Sequence, residues 1–119
     1  MTERFLINAT HATDDPDRAT IALVMANAAL SLGKDAVLLL VSEGARLAVP
    51  AVVDAIREPG FATLRELFDQ FLESGGQVWA CSPCVAKRGL ASEIDPRVTL
   101  TGAVAALAWV ADNGSSLSF

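Results

Sequence analysis

Short apolar runs alternate with longer helical patterns along the whole chain. Residues 35–41 form a continuous apolar run that ends at Ser42, Glu43 and Gly44, which is typical of a strand buried on both faces of a parallel sheet. Apolar side chains in residues 63–74 recur every three or four positions, as in an amphipathic helix. The predicted strands are residues 4–9, 35–41, 77–81, 98–100 and, at an edge, 116–119; the predicted helices are residues 16–32, 51–56, 63–74, 82–89 and 103–111.

Turn residues support the first predicted helix most clearly. Asp15 is a suitable N-cap and Pro16 a suitable first helical residue, while Gly33 suits the left-handed conformation that follows many helices. Apolar residues occur almost all round this helix, so more than one of its faces should be covered. Between the second strand and the third helix, residues 45–59 are ambiguous, because Pro50 and Pro59 limit any helix there.

The alternation of strands and helices predicts one α/β domain over residues 1–119. Connections between parallel strands are right-handed by strong preference, so the elements predict a doubly wound, mostly parallel five-stranded sheet with helices on both faces. Ligands and catalytic groups of such folds collect at the carboxyl ends of the strands. Three loops follow predicted strands in this way: residues 10–15, 42–44 and 81–83.

Composition excludes several functional classes. The chain is 52% hydrophobic, which indicates a sheet covered on both faces or apolar surface buried between subunits. A net charge of -5 argues against nucleic-acid binding, because there is no basic stripe to neutralise phosphates. The first apolar run is too short for a signal peptide, and residues 19–33 are too short for a membrane span. We therefore expect a cytoplasmic protein whose cysteines are reduced at rest.

Both cysteines of the chain, Cys81 and Cys84, lie in a C-x-x-C motif where the third predicted strand meets a helix. A structural disulfide would staple little in such a domain. A zinc site needs about four ligands, and the chain offers these two cysteines, His11 and carboxylates, so we predict no metal. C-x-x-C is also the motif of thioredoxin-like redox proteins, although there it opens a long helix.

The remaining interpretation is a thiolate that carries a chemical group. Cys81 would face the N-terminus of the helix that Ser82 begins, where free N–H groups favour an anion and should lower the pKa of the thiol. Lys87 and Arg88 add positive charge nearby. The structural alternative is that the two small cysteines only fill the junction between strand and helix.

The motif carries a resemblance to a known family. The segment "SGGQVWACSPCVAKRGL", residues 74–90, has a Gly-Gly turn, a short apolar strand, C-x-x-C and Arg-Gly. This segment is similar to the DsrE/DsrF-like sulfur-relay family, of the YchN and TusD types. Three other segments also fit that family: "LGKDAVLLLVSEGARLA", residues 32–48, "ATHATDDPDRATIALVMANAAL" near the N-terminus, and the terminal "SLSF". The resemblance covers nearly the whole chain, and the cysteine segment is its most specific part.

The resemblance implies a flavodoxin-like fold, assembly as a homotrimer or hexamer or as a hetero-oligomer, and transfer of sulfane sulfur as a cysteine persulfide. By its spacing to Arg88-Gly89, Cys81 matches the sulfur-accepting position of the TusD type. Cys84 matches the second cysteine found in the single-protein branch of the family. Sulfur donor and acceptor proteins would then be the partners. A persulfide carrier needs no cofactor, and a second cysteine would release sulfur by forming a disulfide.

Other residues complete the predicted site. His11, Glu43, Ser82 and Arg88 are candidate binding residues, although a solvated loop position is the simpler interpretation of His11 and Glu43. Asp14 and Asp15 are interpreted as turn and N-cap residues. Excess apolar surface on helices 19–32 and 103–111, with Trp79 and Trp109 near it, predicts self-association. The alternative functions are a non-catalytic module that binds a small ligand or a protein, and a C-x-x-C thiol redox protein.

Overall fold

Five strands form one wholly parallel sheet in residues 2–119, the part of the chain that the computed structural model describes. The strands are β1 Arg4–Ala9, β2 Asp35–Leu40, β3 Gln77–Cys81, β4 Val98–Thr101 and β5 Gly114–Ser118. The helices are α1 Pro16–Ser31, α2 Pro50–Ala55, α3 Leu64–Glu73, α4 Ser82–Lys87 and α5 Ala103–Val110, with 3-10 helices at Ser42–Ala48 and Ala91–Glu93. The predicted α/β fold with a five-stranded sheet is therefore confirmed, including an edge strand at the C-terminal end.

The strand order is β4-β3-β2-β1-β5. Leu40 of β2 pairs with Ala9 of β1 on one side and with Ala80 of β3 on the other. The carboxyl ends of these three strands therefore end at one level, and the loops that follow them meet at one edge of the sheet. The chain runs in one direction from β1 to β4 and then crosses back to β5, so right-handed connections place α5 on the opposite face from α1.

Apolar side chains fill a layer on each face of the sheet. The main layer contains Ile7, Leu38 and Val78 from the strands, packed with Leu23 of α1 and Phe68 of α3. Alternate strand residues point to the other face, where Leu6 and Val37 pack with Ala106 of α5. The second layer is thinner, because α5 alone covers it.

Caps and packing explain the two long helices. The Asp15 carboxylate accepts a hydrogen bond from the Arg18 backbone N–H at 3.1 Å, and the Thr63 hydroxyl accepts one from the Glu66 N–H at 3.2 Å. Helix α1 packs on both the sheet and α3, and its buried Asn27 donates to the Leu67 carbonyl of α3 at 3.0 Å. Its all-round apolar pattern thus reflects contacts on more than one side. Within residues 2–119, no helix is both long and apolar enough to cross a membrane.

The 3-10 helix Ser42–Ala48 differs from the prediction, in which residues 42–44 are a loop and residues 45–59 are ambiguous. It lies directly over the end of β1, and a Cβ atom at Gly44 would overlap the Ala9 carbonyl. Glycine is therefore required at this position by the close approach of two backbones. The contact holds the loop after β2 against the edge where the strands end.

A network of charged side chains joins the approach to β4 with the helices. The buried Asp95 carboxylate accepts hydrogen bonds from Arg97 Nη2 at 2.8 Å and from the Arg97 backbone N–H at 2.9 Å. Arg97 also donates to Asp69 of α3, which Arg65 contacts in turn. These hydrogen bonds from Arg97 outweigh burial and hold the pKa of Asp95 below its ordinary value.

We predict that Asp95→Asn lowers the free energy of unfolding by about 2 kcal/mol at neutral pH, the size of a hydrogen bond to a charged group. The wild-type contribution is complete above the pKa of an unfolded aspartate, about 3.9. It is lost as the pH falls through the lower pKa of folded Asp95. Urea unfolding at a series of pH values measures this difference.

The control is Glu93→Gln, at an exposed position of the same segment. It should leave the unfolding free energy nearly unchanged at every pH. If Asp95→Asn were equally neutral at pH 7, or if its effect did not shrink in acid, the stabilising role of the network would be wrong.

Candidate functional site

The C-x-x-C motif spans the junction between β3 and α4. Cys81 is the last residue of β3 and the N-cap of α4. Ser82 and Pro83 open the helix, since proline fits its first turn. Gly89 adopts a positive φ of 67° beyond its end. The predicted position of both cysteines, at the carboxyl end of the third strand, is confirmed.

The two thiols are free and in direct contact. Cys84 Sγ lies 2.7 Å from Cys81 Sγ, and both side chains are half-buried. Cys84 packs against the main apolar layer. Cys81 alternates with Ala80 in β3, so it belongs to the sheet face of Trp79. The helical turn brings the two sulfur atoms together across the end of the strand.

Ser42 is a residue of this site that sequence reasoning did not identify. Its backbone N–H donates to Cys84 Sγ at 3.4 Å. Ser42 adopts a φ of 55° and is the one non-glycine residue with positive φ among residues 2–119. Such a conformation is unfavourable for an L-residue and persists where the surroundings impose it. No sequence signal marks it, since the contact is made by the backbone.

Arg88 lies beneath the cysteine turn with only 12% of its side chain exposed. Its Nη1 donates to the Cys84 carbonyl at 3.2 Å. Its Nε is buried and has no hydrogen-bond acceptor within the described chain. Glu43 Oε1 lies 3.5 Å from this Nε, close enough for an ion pair but too far for a good hydrogen bond. The guanidinium is thus anchored at one nitrogen and unsatisfied at another.

Glu43 is connected to the site through Arg88 and Arg46. Its Oε2 accepts a hydrogen bond from Arg46 Nε at 2.5 Å. That bond and the charges of Arg46 and Arg88 lower the pKa of the Glu43 carboxyl. Glu43 and Arg88, both predicted as binding residues, are therefore brought together.

An open cleft of about 320 Å³ lies beside the motif. Its lining consists of Ser42, Pro83, Cys84, Lys87 and Arg88. The two cysteines therefore differ, because Cys84 lines the cleft and Cys81 does not. Two cationic side chains make the cleft a suitable environment for an anion.

The predicted fall in the pKa of Cys81 is wrong. Burial raises the pKa of its thiol, and the contact with Cys84 raises it further. The Cys84 backbone N–H and the Arg88 charge act in the opposite direction without overcoming these effects. The prediction considered the helix N-terminus and the nearby charges of Lys87 and Arg88, and it could not include the cost of desolvation or a sulfur neighbour.

The other two predicted binding residues, His11 and Ser82, are not among the residues that line this cleft. His11 Nδ1 contacts Asp14 Oδ2 at 2.7 Å, and Asp14 Oδ1 accepts the Ala12 N–H. Burial alone would raise the pKa of Asp14, but these contacts lower it. The side chain of Asp14 thus makes its hydrogen bonds within the loop after β1. Ser82 is exposed at the start of α4 and is not part of the cleft lining. In the part of the chain described, no group of three or more His, Cys, Asp or Glu side chains is placed to hold a metal ion.

Comparisons with known proteins agree with this architecture. The model of the DsrE/DsrF-like family matches residues 3–119. An uncharacterized protein of Methanocaldococcus jannaschii, MJ0760, is 30% identical over 88 residues, which are 74% of this chain; the match spans only 32% of that protein's length.

Two solved structures have the same fold. The YchN protein of E. coli superposes with a TM-score of 0.79 and 16% identity, covering 100% of both chains. A conserved protein of unknown function from Bacteroides thetaiotaomicron, BT1422, gives a TM-score of 0.70 at 17% identity, covering 98% of this chain and 95% of its own.

Proposed function

This chain belongs to the DsrE/DsrF-like family, which is generally related to sulfur relay, and we propose that it carries sulfane sulfur as a persulfide on its C-x-x-C cysteines. The observation that supports this most directly is the contact between two free thiols, 2.7 Å apart, beside an open cationic cleft. One thiol can accept a sulfur atom while the other remains within reach of it.

In the loading step, the Cys81 thiolate attacks the outer sulfur of a donor persulfide. The bond between Cys81 Sγ and that sulfur forms, the donor S–S bond breaks, and the donor leaves as a thiolate. The sulfane sulfur moves with its proton and its oxidation state unchanged, so this transfer needs no cofactor. Cys81 is the accepting residue because it matches the family position, and Cys84 is the resolving thiol because its Sγ already contacts Cys81.

A second candidate function uses the same contact. Two thiols this close can form a disulfide after small adjustments, since a disulfide requires β-carbons about 4 Å apart. The chain would then exchange electrons with other dithiols rather than sulfur. The two functions differ in whether a sulfur atom is retained by the protein.

We predict that incubation with a low-molecular-weight persulfide adds one sulfur atom to the intact protein, because Cys81 accepts the atom and the C-x-x-C motif retains it. Cys81→Ser should abolish this gain, whereas Cys84→Ser should retain it, since the resolving thiol is then absent. Intact-mass spectrometry after rapid alkylation measures the gain without reduction.

The matched control is Ser82→Ala, which leaves both sulfur atoms in place at an exposed position and should load normally. Conversion of the wild-type protein to a disulfide, with no retained sulfur and no release of hydrosulfide, would favour the redox function. No change of mass in any variant would contradict both the carrier function and the redox function. The remaining alternative would then be a non-catalytic binding module.

Helix α5 supports a further part of the proposal, assembly as a homotrimer or hexamer. Val104 is 84% exposed and Leu107 is 66% exposed, although the helix is almost entirely apolar. Trp79 and Trp109 contact each other edge to face within the subunit, with ring centroids 6.1 Å apart. The apolar residues of helix α1 pack inside the subunit. The unpartnered apolar surface is therefore that of α5.

We predict that light scattering gives a mass of three or six subunits, each of 12.5 kDa. Combined Val104→Glu and Leu107→Glu should yield monomers, because two charges cannot be buried unpaired in an apolar contact. Leu32→Glu, at an exposed leucine after α1, is the control and should not change the mass. A wild-type monomer at micromolar concentration would contradict the assembly.

A further inference from the structure

The geometry points to a second sulfur transfer within the motif: we propose that the outer sulfur passes from Cys81 to Cys84 and is held there as a persulfide anion in the cleft. This inference rests on the proposed carrier function and concerns the route of the sulfur after loading. It differs from simple resolution, in which Cys84 would attack Cys81 Sγ and expel the outer sulfur as hydrosulfide.

The positions of the two sulfur atoms define the route. Cys84 Sγ lies 2.7 Å from Cys81 Sγ, so an outer sulfur bound to either atom lies near the other. Only Cys84 of the pair lines the cleft of about 320 Å³. Because an S–S bond is about 2 Å long, a sulfur atom added to Cys84 would extend into this cleft. Transfer to Cys84 therefore moves the cargo from the strand end into the cleft.

The cleft contains donors for a sulfur anion. The Ser42 N–H already donates to Cys84 Sγ at 3.4 Å, and the positive φ of Ser42 holds it in that direction. Arg88 Nε is buried without an acceptor, while its Nη1 is fixed to the Cys84 carbonyl. A buried donor without a partner is costly, and a persulfide anion at Cys84 would provide the missing acceptor. Lys87 adds a second positive charge to the lining.

Glu43 does not satisfy Arg88 in place of such an anion. Its Oε1 remains 3.5 Å from Arg88 Nε, while its Oε2 is bonded to Arg46. The ion pair keeps the guanidinium in position, but at this distance it is a poor hydrogen bond. Arg88 lines the same cleft as Cys84, so its guanidinium borders the space that the added sulfur would enter.

The transfer balances without an external reactant. Loading leaves a protonated outer sulfur on Cys81, and the Cys84 thiolate attacks that sulfur. The bond from the outer sulfur to Cys84 Sγ forms, the bond to Cys81 Sγ breaks, and Cys81 Sγ leaves as a thiolate that takes up the proton of the outer sulfur. Cys81 is then a thiol, and Cys84 carries the anionic outer sulfur. Burial favours the protonated form of Cys81, whereas Arg88 favours the anion in the cleft, so both effects drive the sulfur toward Cys84.

The test locates the sulfur along the chain. The protein is loaded with a low-molecular-weight persulfide, alkylated after increasing times, digested without reductant and sequenced by tandem mass spectrometry. Ser82 and Pro83 separate the two cysteines, so fragment ions assign the extra sulfur to one of them. We expect it on Cys81 first and then predominantly on Cys84, while in Cys84→Ser it stays on Cys81.

Arg88→Lys tests the anion partner, since it keeps the positive charge and removes the Nε–H. We expect the ratio of Cys84 to Cys81 persulfide to fall by about tenfold, the effect of losing one hydrogen bond to a charged group. The control Arg57→Lys changes an exposed arginine of the segment after α2 and should leave the ratio unchanged. A purely structural role of Arg88 would lower total loading without changing this ratio.

Three results would overturn the inference. Sulfur that stays on Cys81 in the wild-type protein at all times would refute the transfer while leaving the carrier function intact. Release of hydrosulfide together with a Cys81–Cys84 disulfide would show that Cys84 attacks the inner sulfur instead. Absence of any added sulfur would refute the carrier function and this inference together.

Discussion

The common level at which β1, β2 and β3 end is the constraint on which the rest of the site depends. Ala9, Leu40 and Ala80 are paired across the sheet, so the chain leaves all three strands at one edge. The close approach of Gly44 to the Ala9 carbonyl then fixes the 3-10 helix after β2 over that edge. As a result, the Ser42 N–H meets the cysteine turn from a neighbouring strand. A shift of one residue in this register would turn every strand side chain to the other face.

Two features of the site are unfavourable for folding and favourable for binding an anion. Ser42 has a positive φ while its N–H donates to Cys84 Sγ, and Arg88 Nε has no acceptor in the described chain. Backbone strain and unsatisfied buried donors are each disfavoured by about 1–3 kcal/mol. Burial of the main apolar layer and the hydrogen bonds around Asp95 can offset such costs. The unsatisfied groups are concentrated where the proposed cargo would bind.

The sequence predicted the architecture better than the chemistry. Strands β1 and β3 lie at their predicted residues, because apolar runs bounded by turn residues can be recognised in the sequence itself. The position of the cysteines and the Asp15 cap follow from the same local signals and the parallel topology. The Thr63 cap and the proximity of Glu43 to Arg88 were not predicted. The pKa of Cys81 and the role of Ser42 could not be predicted, since they depend on burial and on a backbone contact between distant segments. Periodicity also could not distinguish α1, covered inside the subunit, from α5, which remains exposed.

The proposed function requires Cys81 and Cys84 to be an exchanging dithiol and not a structural pair. Its most direct test is the fraction of free thiol, measured by alkylation and mass spectrometry, in glutathione buffers of graded potential. We predict two free thiols at a cytosol-like potential and a Cys81–Cys84 disulfide as the buffer becomes more oxidising, because the sulfur atoms already touch. A disulfide that persists in the cytosol-like buffer would make the pair structural. Thiols that remain free under strong oxidation would make Cys84 a packing residue, and either result would contradict the account.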